Sequence, residues 1–330
     1  MPHLKWAATL LAALACFAAA MTAPLSAQTT HLTIMVFQGM QNLPLLAAQT
    51  QGFFAKRGLK VDIRIAPNSD ELRDGLAHGR YQIVHAGVDN AVAMAEVAKI
   101  DIAIVMGGDN GFNRLIVQPE IKSYADLRGK TVIVDAPDTA FAFLMYEMLR
   151  KNGLNKGDYE VRPVGASFRR LEVMLKDKTA AAAMLNMPFT LRAAAAGLGD
   201  LGSAVEALGP YQGTGAFVLR QWAAGNSDVL GRYLRAYIEG LRWGVDPKNR
   251  VEATKLYVDA LKLNEAMATR TLAIAAHPTD GLTRDARLDP DGFKNVLSLR
   301  ANVMKQWAGK PPAPEKYLDA SYYTKALAGL

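Results

Sequence analysis

Cysteine is nearly absent: the 330-residue chain has one, Cys16. That excludes an intrachain disulfide scaffold and any zinc or iron–sulfur site built on several thiolates. Histidine is also scarce. His3, His31, His78, His85 and His277 show no metal-ligand spacing, so no metal and no cofactor are expected. Gly-x-Ser-x-Gly and His-Glu-x-x-His are both missing, which removes two common hydrolase signatures. The 27 glycines and 15 prolines have no period, which excludes a collagen-like or low-complexity chain. There is no basic tract and no aromatic-interleaved basic stripe. The formal charge of +7 is therefore diffuse, and nucleic acid is not an expected partner.

What is present describes a globular protein. Half the residues are hydrophobic and 21% are charged, which excludes a disordered chain. The length suits two lobes better than one core. Lys5 is followed by no further Asp, Glu, Lys or Arg until Lys56. Within that gap, Trp6 to Met21 is apolar and Thr22 to Ala27 supplies a small-residue exit, the pattern of a secretory signal peptide over residues 1–27. Two rivals are weaker. A retained anchor over Trp6 to Ala23 barely spans a bilayer and is rich in alanine. A lipoprotein cleaved at Cys16 normally has a large aliphatic residue three places earlier, where this chain has Ala13. Cleavage after Ala27 leaves no cysteine, which suits an oxidising compartment. No later segment reaches eighteen uncharged apolar residues.

Beyond residue 28 strands alternate with helices. His31 to Gln38, Lys60 to Ala66, Tyr81 to Ala86 and Ile102 to Met106 read as strands. Asn42 to Gly58, Asp70 to His78 with Ser69 as N-cap, and Asn90 to Lys99 read as helices. The pattern restarts at Arg114 to Val117. Strands follow at Thr131 to Val134, Glu160 to Val164 and Ala180 to Leu185, with helices at Thr139 to Asn152, Ser167 to Lys176 and Phe189 to Ala196. A last strand, Ala216 to Leu219, precedes a mainly helical C-terminal third. Such alternation predicts βαβ units and parallel sheets in two lobes: residues 28–114 with 212–330, and residues 115–211.

Two stretches resemble a known family. Leu43-Pro44-Leu45-Leu46-Ala47-Ala48-Gln49-Thr50-Gln51-Gly52-Phe53-Phe54 and Tyr124-Ala125-Asp126-Leu127-Arg128-Gly129-Lys130-Thr131-Val132 resemble motifs of solute-binding proteins of ABC importers. The branch is that of nitrate, sulfonate, taurine and thiamine precursors, and Tyr317 to Tyr323 is similar to its ending. The resemblance implies an α/β type II periplasmic-binding fold with a hinged cleft and C-terminal helices packed on the first lobe. It also implies a periplasmic location, a small-molecule ligand held between the lobes, and an ABC transporter permease as partner. We expect a monomer without catalytic residues. A cleft enzyme or a ligand sensor on the same fold is the alternative. The mature chain lacks the cysteine-rich motif of a related enzyme that makes the thiamine pyrimidine.

Open α/β sheets bind ligands beyond the carboxyl ends of their strands. The strand-end loops therefore supply the candidates: Gln38, Met40 and Gln41; Asp89 and Asn90; Asn110 and Phe112; Asp138, Thr139 and Phe141; Asn186; and Tyr211 at the return crossing. Capping competes with contact at Asp89, Asn90 and Asp138. These loops hold Asp89, Asp109, Asp135 and Asp138 and no lysine or arginine before Arg114. A neutral or partly cationic ligand, such as an aminated heterocycle, is expected over a bare anion, which favours bidentate arginine.

Overall fold

The structure, a computed structural model, describes residues 29–278 and 281–330. The expected signal peptide and Cys16 lie outside the described residues. Ten strands form two sheets: β1 Thr30–Val36, β2 Leu59–Ile65, β3 Ile83–Gly87, β4 Ile102–Gly107, β5 Arg114–Val117, β6 Thr131–Val134, β7 Glu160–Pro163, β8 Ala180–Leu185, β9 Gly199–Ser203 and β10 Thr214–Leu219. Their orders are β2-β1-β3-β10-β4 and β7-β6-β8-β5-β9. Each sheet, with its helices, makes one α/β lobe.

The sheets are mixed, which corrects the parallel expectation. β1 runs parallel to β2 and β3, but β10 lies antiparallel between β3 and β4. β6 runs parallel to β7 and β8, and β5 lies antiparallel to β8 and β9. The two antiparallel strands are those that begin where the chain has just crossed between sheets. A strand arriving from the other lobe need not follow the right-handed βαβ rule, which governs connections within one sheet. β3, β4 and β8 are buried along their whole length, as their unbroken apolar sequences require. β9 had no sequence signal, because Gly199-Asp200-Leu201-Gly202-Ser203 is poor in β-formers.

Helix boundaries depart from the sequence reading at two instructive places. The first helix is Leu43–Thr50 rather than Asn42 to Gly58; Gly52 has φ 72 and turns the chain. The second, Ser69–Ala77, is capped by Asn68, whose side chain accepts from the Glu71 amide. Ser69 is thereby released for another bond.

Most of the C-terminal third packs on the first lobe, while the helix Pro290–Met304 also packs against Ala140–Lys151 of the second. The long helix Ser227–Val245 lies against Leu43–Thr50 so closely that a Cβ on Gly240 would fall 2.2 Å from the Pro44 carbonyl oxygen. Glycine there is a packing requirement. Further on, Tyr317 and Asp319 exchange backbone bonds with Ile104 of β4. Glu96 clasps this returning segment, accepting from Trp307 Nε1 at 3.0 Å and Tyr317 Oη at 2.8 Å, with Lys316 Nζ at 2.5 Å. Burial pushes the Glu96 carboxyl up, but the bonds from Lys316, Trp307 and Tyr317 outweigh it and hold it at about 2. A depressed folded pKa stabilises above the ordinary value and is lost as pH falls from about 4.5 towards 2. Glu96→Gln is therefore expected to cost about 2 kcal/mol at neutral pH. Denaturant unfolding of both chains at stepped pH checks this: the gap should shrink across that acid window, and a constant gap would refute the linkage.

Candidate functional site

Between the two sheets, at the carboxyl ends of their strands, lies a cavity enclosing about 630 Å³ of empty space, part of it open to solvent. Seven of the twelve expected residues line it: Gln38, Gln41, Asn90, Phe112, Thr139, Phe141 and Asn186. Phe37, Phe112 and Phe141 give it aromatic walls. Asn186 Nδ2 donates to Gln41 Oε1 at 3.3 Å, and Gln41 Nε2 donates to the Phe37 carbonyl at 3.2 Å.

The other five candidates lie elsewhere. Asp89 is buried and holds Arg300, whose Nη1 is 2.8 Å from both carboxylate oxygens. Asp138 is off the lining and half-buried, 3.6 Å from Arg73 Nη1. It does not cap the following helix, Ala140–Lys151, whose N-cap residue is Thr139. Met40 is buried, with its carbonyl accepting from Tyr257 Oη at 2.7 Å. Asn110 lines a separate groove beside Arg114, Met187 and Ile274. Tyr211 is buried outside the main cavity, against Leu144 and Leu299.

The charge reading needs a correction too. Of the four aspartates expected to face the ligand, Asp109 and Asp135 line the cavity, while Asp89 and Asp138 are spent on arginines. A guanidinium also faces it: Arg170, fully buried. Ser69, Asn113, Ser167 and Thr214 line it as well. The omission of Ser69, Ser167 and Arg170 has one cause. They follow β2 and β7, strands at the outer edges of their sheets, whereas the expected residues came from central loops and crossings. The strand-end rule applied to every strand finds them.

Arg170 has little left to offer an anion. It donates to the carbonyls of Gly165 and Met184, the latter at 2.9 Å, and to Ser167 Oγ at 2.9 Å. Burial lowers its pKa to about 10, and the Asp135 charge works against that fall. Asp109 is likewise engaged, accepting from Thr214 Oγ1 and from the Gly111 amide at 2.8 Å. Burial raises its carboxyl pKa, with these bonds opposing.

Four other groups have acceptor capacity to spare. Asn90 Oδ1, Asn113 Oδ1, Asp135 Oδ1 and Asn186 Oδ1 are buried without a hydrogen-bond partner in the protein, and all four residues line the cavity. Unpaired acceptors cost free energy until a donor reaches them. The cavity is thus a donor-seeking site with aromatic walls. Among the described residues, no group of three or more His, Cys, Asp or Glu side chains is placed to hold a metal ion.

Two α/β lobes with a polar cavity between them define the type II periplasmic-binding fold. The chain belongs to the NMT1-like family, whose model matches residues 26–258. A protein of Bordetella bronchiseptica RB50 has this fold with TM-score 0.78 and 19% identity, over 91% of this chain and 97% of that one. A ligand-binding component of an ABC-type import system from Staphylococcus aureus, with zinc bound, gives 0.73 and 14%, over 90% and 99%. A desulfurization enzyme, DszB, gives 0.61 and 14%, over 90% and 99%. A search of curated proteins found no match. Identities this low establish shared architecture, and the same architecture carries both a binding component and an enzyme.

Proposed function

We propose that this chain is a periplasmic solute-binding protein of an ABC importer. Its two lobes close on a small, planar molecule rich in hydrogen-bond donors, such as an aminated heterocycle, and present it to a permease. The leader-like first 27 residues and the resemblance to importer binding proteins support the location and the partner. The observation that carries the ligand class is the set of four unpartnered acceptors, one of them a carboxylate oxygen, beside three phenylalanine rings. A nitrate or sulfonate would set further acceptors against these four oxygens, next to two carboxylates. A ring bearing N–H groups would pair the oxygens and stack on the phenylalanines.

Binding rather than turnover is favoured by how the polar groups are committed. Asp109 and Arg170 are tied into the walls, Asp109 by Thr214 and the Gly111 amide and Arg170 by Ser167 and the carbonyls of Gly165 and Met184.

Benzamidine and benzenesulfonate test this as a matched pair, with one ring and opposite head groups. Benzamidine at about 100 times its Kd stabilises the folded state by roughly 2.7 kcal/mol, several degrees in a thermal melt. Benzenesulfonate should leave the melt unchanged. Stabilisation by the sulfonate alone would reverse the ligand class. Consumption of benzamidine, followed by NMR, would replace the binding reading with an enzymatic one.

A further inference from the structure

One edge of the cavity is formed by contacts between the lobes, and they converge on the start of the Ser69–Ala77 helix. Ser69 Oγ donates to Asp135 Oδ2, from the first lobe to the second, and both groups are buried. One turn further on, Arg73 stands 3.6 Å from Asp138 and donates to its own neighbour Asp70 at 2.7 Å. The spacing of four puts Ser69 and Arg73 on the same helix face. Both therefore reach the single loop that joins β6 to the next helix. The backbone reinforces the edge, with the Ala166 amide donating to the Pro67 carbonyl at 3.1 Å. Gly165 permits that approach: it has φ +98, and a Cβ there would sit 2.8 Å from the same Pro67 oxygen.

Asp135 has two oxygens with different duties. Oδ2 is engaged by Ser69, and Oδ1 is the unpartnered acceptor on the cavity. We infer that Ser69 and Arg73 are positioning residues that latch the lobes through Asp135 and Asp138, so that one carboxylate couples lobe closure to recognition of a ligand donor. The ligand half of this coupling rests on the reading given under Proposed function; the latch half does not.

A ligand donor at Oδ1 offsets the cost of burying Asp135, and burial is what the Ser69 bond requires. A molecule without that donor leaves the carboxylate half-paired and favours opening. Arg73 lies off the cavity lining, and Ser69, though on it, commits its hydroxyl proton to Asp135. Their loss should therefore appear in dissociation rather than in encounter. Removing the Ser69 bond should raise the benzamidine dissociation rate constant about tenfold and removing the Arg73–Asp138 ion pair about threefold, while the association rate constant stays within about twofold. A residue that merely supported its own lobe would change stability and leave this split unmoved.

Inter-lobe distance gives a readout independent of any ligand. In the full chain with Cys16→Ser, spin labels on Lys60→Cys and Lys156→Cys report one distance per molecule, since no other cysteine is present. Pulsed electron resonance is recorded without added ligand and with benzamidine, on the labelled parent, Ser69→Ala, Arg73→Gln and the control Arg80→Gln. Arg80 bonds Glu71 and Asp74 within the first lobe alone. The expected result is a smaller short-distance population in Ser69→Ala and Arg73→Gln than in the parent, with Arg80→Gln unchanged. Equal populations in all four chains would overturn the latch, as would a parent that stays open in both conditions. If benzamidine fails to bind while the two variants still open the lobes, the ligand class is lost and the latch stands.

Discussion

Asp89→Ala should lower the unfolding free energy by about 3–5 kcal/mol, the largest loss we expect from a single substitution. Asp89 and Arg300 have side-chain exposures of 2% and 0%, and both carboxylate oxygens lie 2.8 Å from one guanidinium nitrogen. The pair joins the start of the Asp89–Glu96 helix to the helix Pro290–Met304. Arg300 Nε also donates to Gln306 at 2.8 Å. Removing the carboxylate strands a guanidinium that water cannot reach, and the cost is that of an uncompensated buried charge. The double variant Asp89→Ala with Arg300→Met should recover most of the loss, because an apolar pair of similar volume needs no compensation. Guanidinium melts of the three chains decide the matter. A single variant within about 1 kcal/mol of the parent would mean that the pair contributes almost nothing.

The second large effect concerns recognition. Asp135→Asn is expected to weaken benzamidine by about 100-fold and to erase its advantage over benzenesulfonate. Asparagine preserves size and can still accept from Ser69, so the lobes keep their contact. What disappears is the negative charge beside the cavity, and with it the field that opposes the loss of charge on Arg170. The cavity then holds one carboxylate and one guanidinium, with no preference for a cation. Titration calorimetry with both compounds checks this. Affinities within about threefold of the parent would place the recognition charge elsewhere, with Asp109 the remaining carboxylate on the cavity.

The wall residues themselves were largely legible. Gln38, Gln41, Asn90, Phe112, Thr139, Phe141 and Asn186 follow strands at the middle of the sheets or stand at the crossing between them, and a rule about strand ends finds them from order alone. Asp89 and Asp138 illustrate what was not legible. An aspartate at a helix start looks the same whether it caps the helix, meets a ligand or holds an arginine more than two hundred residues away. Arg300 has no mark in the sequence to separate it from the other arginines, and its burial decides its meaning. Ser69 reads as the N-cap of Asp70 to His78 in the sequence. Asn68 takes that role, and the freed hydroxyl serves the cleft.

The sequence by itself determined the two-lobe α/β plan and the family motifs, because each is written in local spacing: apolar periods and glycine stops. Its single cysteine closed off an intrachain disulfide and any multi-thiolate metal site by composition alone. The tertiary structure alone decided which charges face the cavity. Charge on a residue is local, but its availability depends on partners supplied by distant segments. Folding set Arg300 on Asp89 and Arg73 by Asp138, and turned Arg170 inward onto carbonyls. It left one oxygen of Asp135 without a donor of its own. That oxygen, invisible in composition and spacing, is the feature on which the proposed recognition turns.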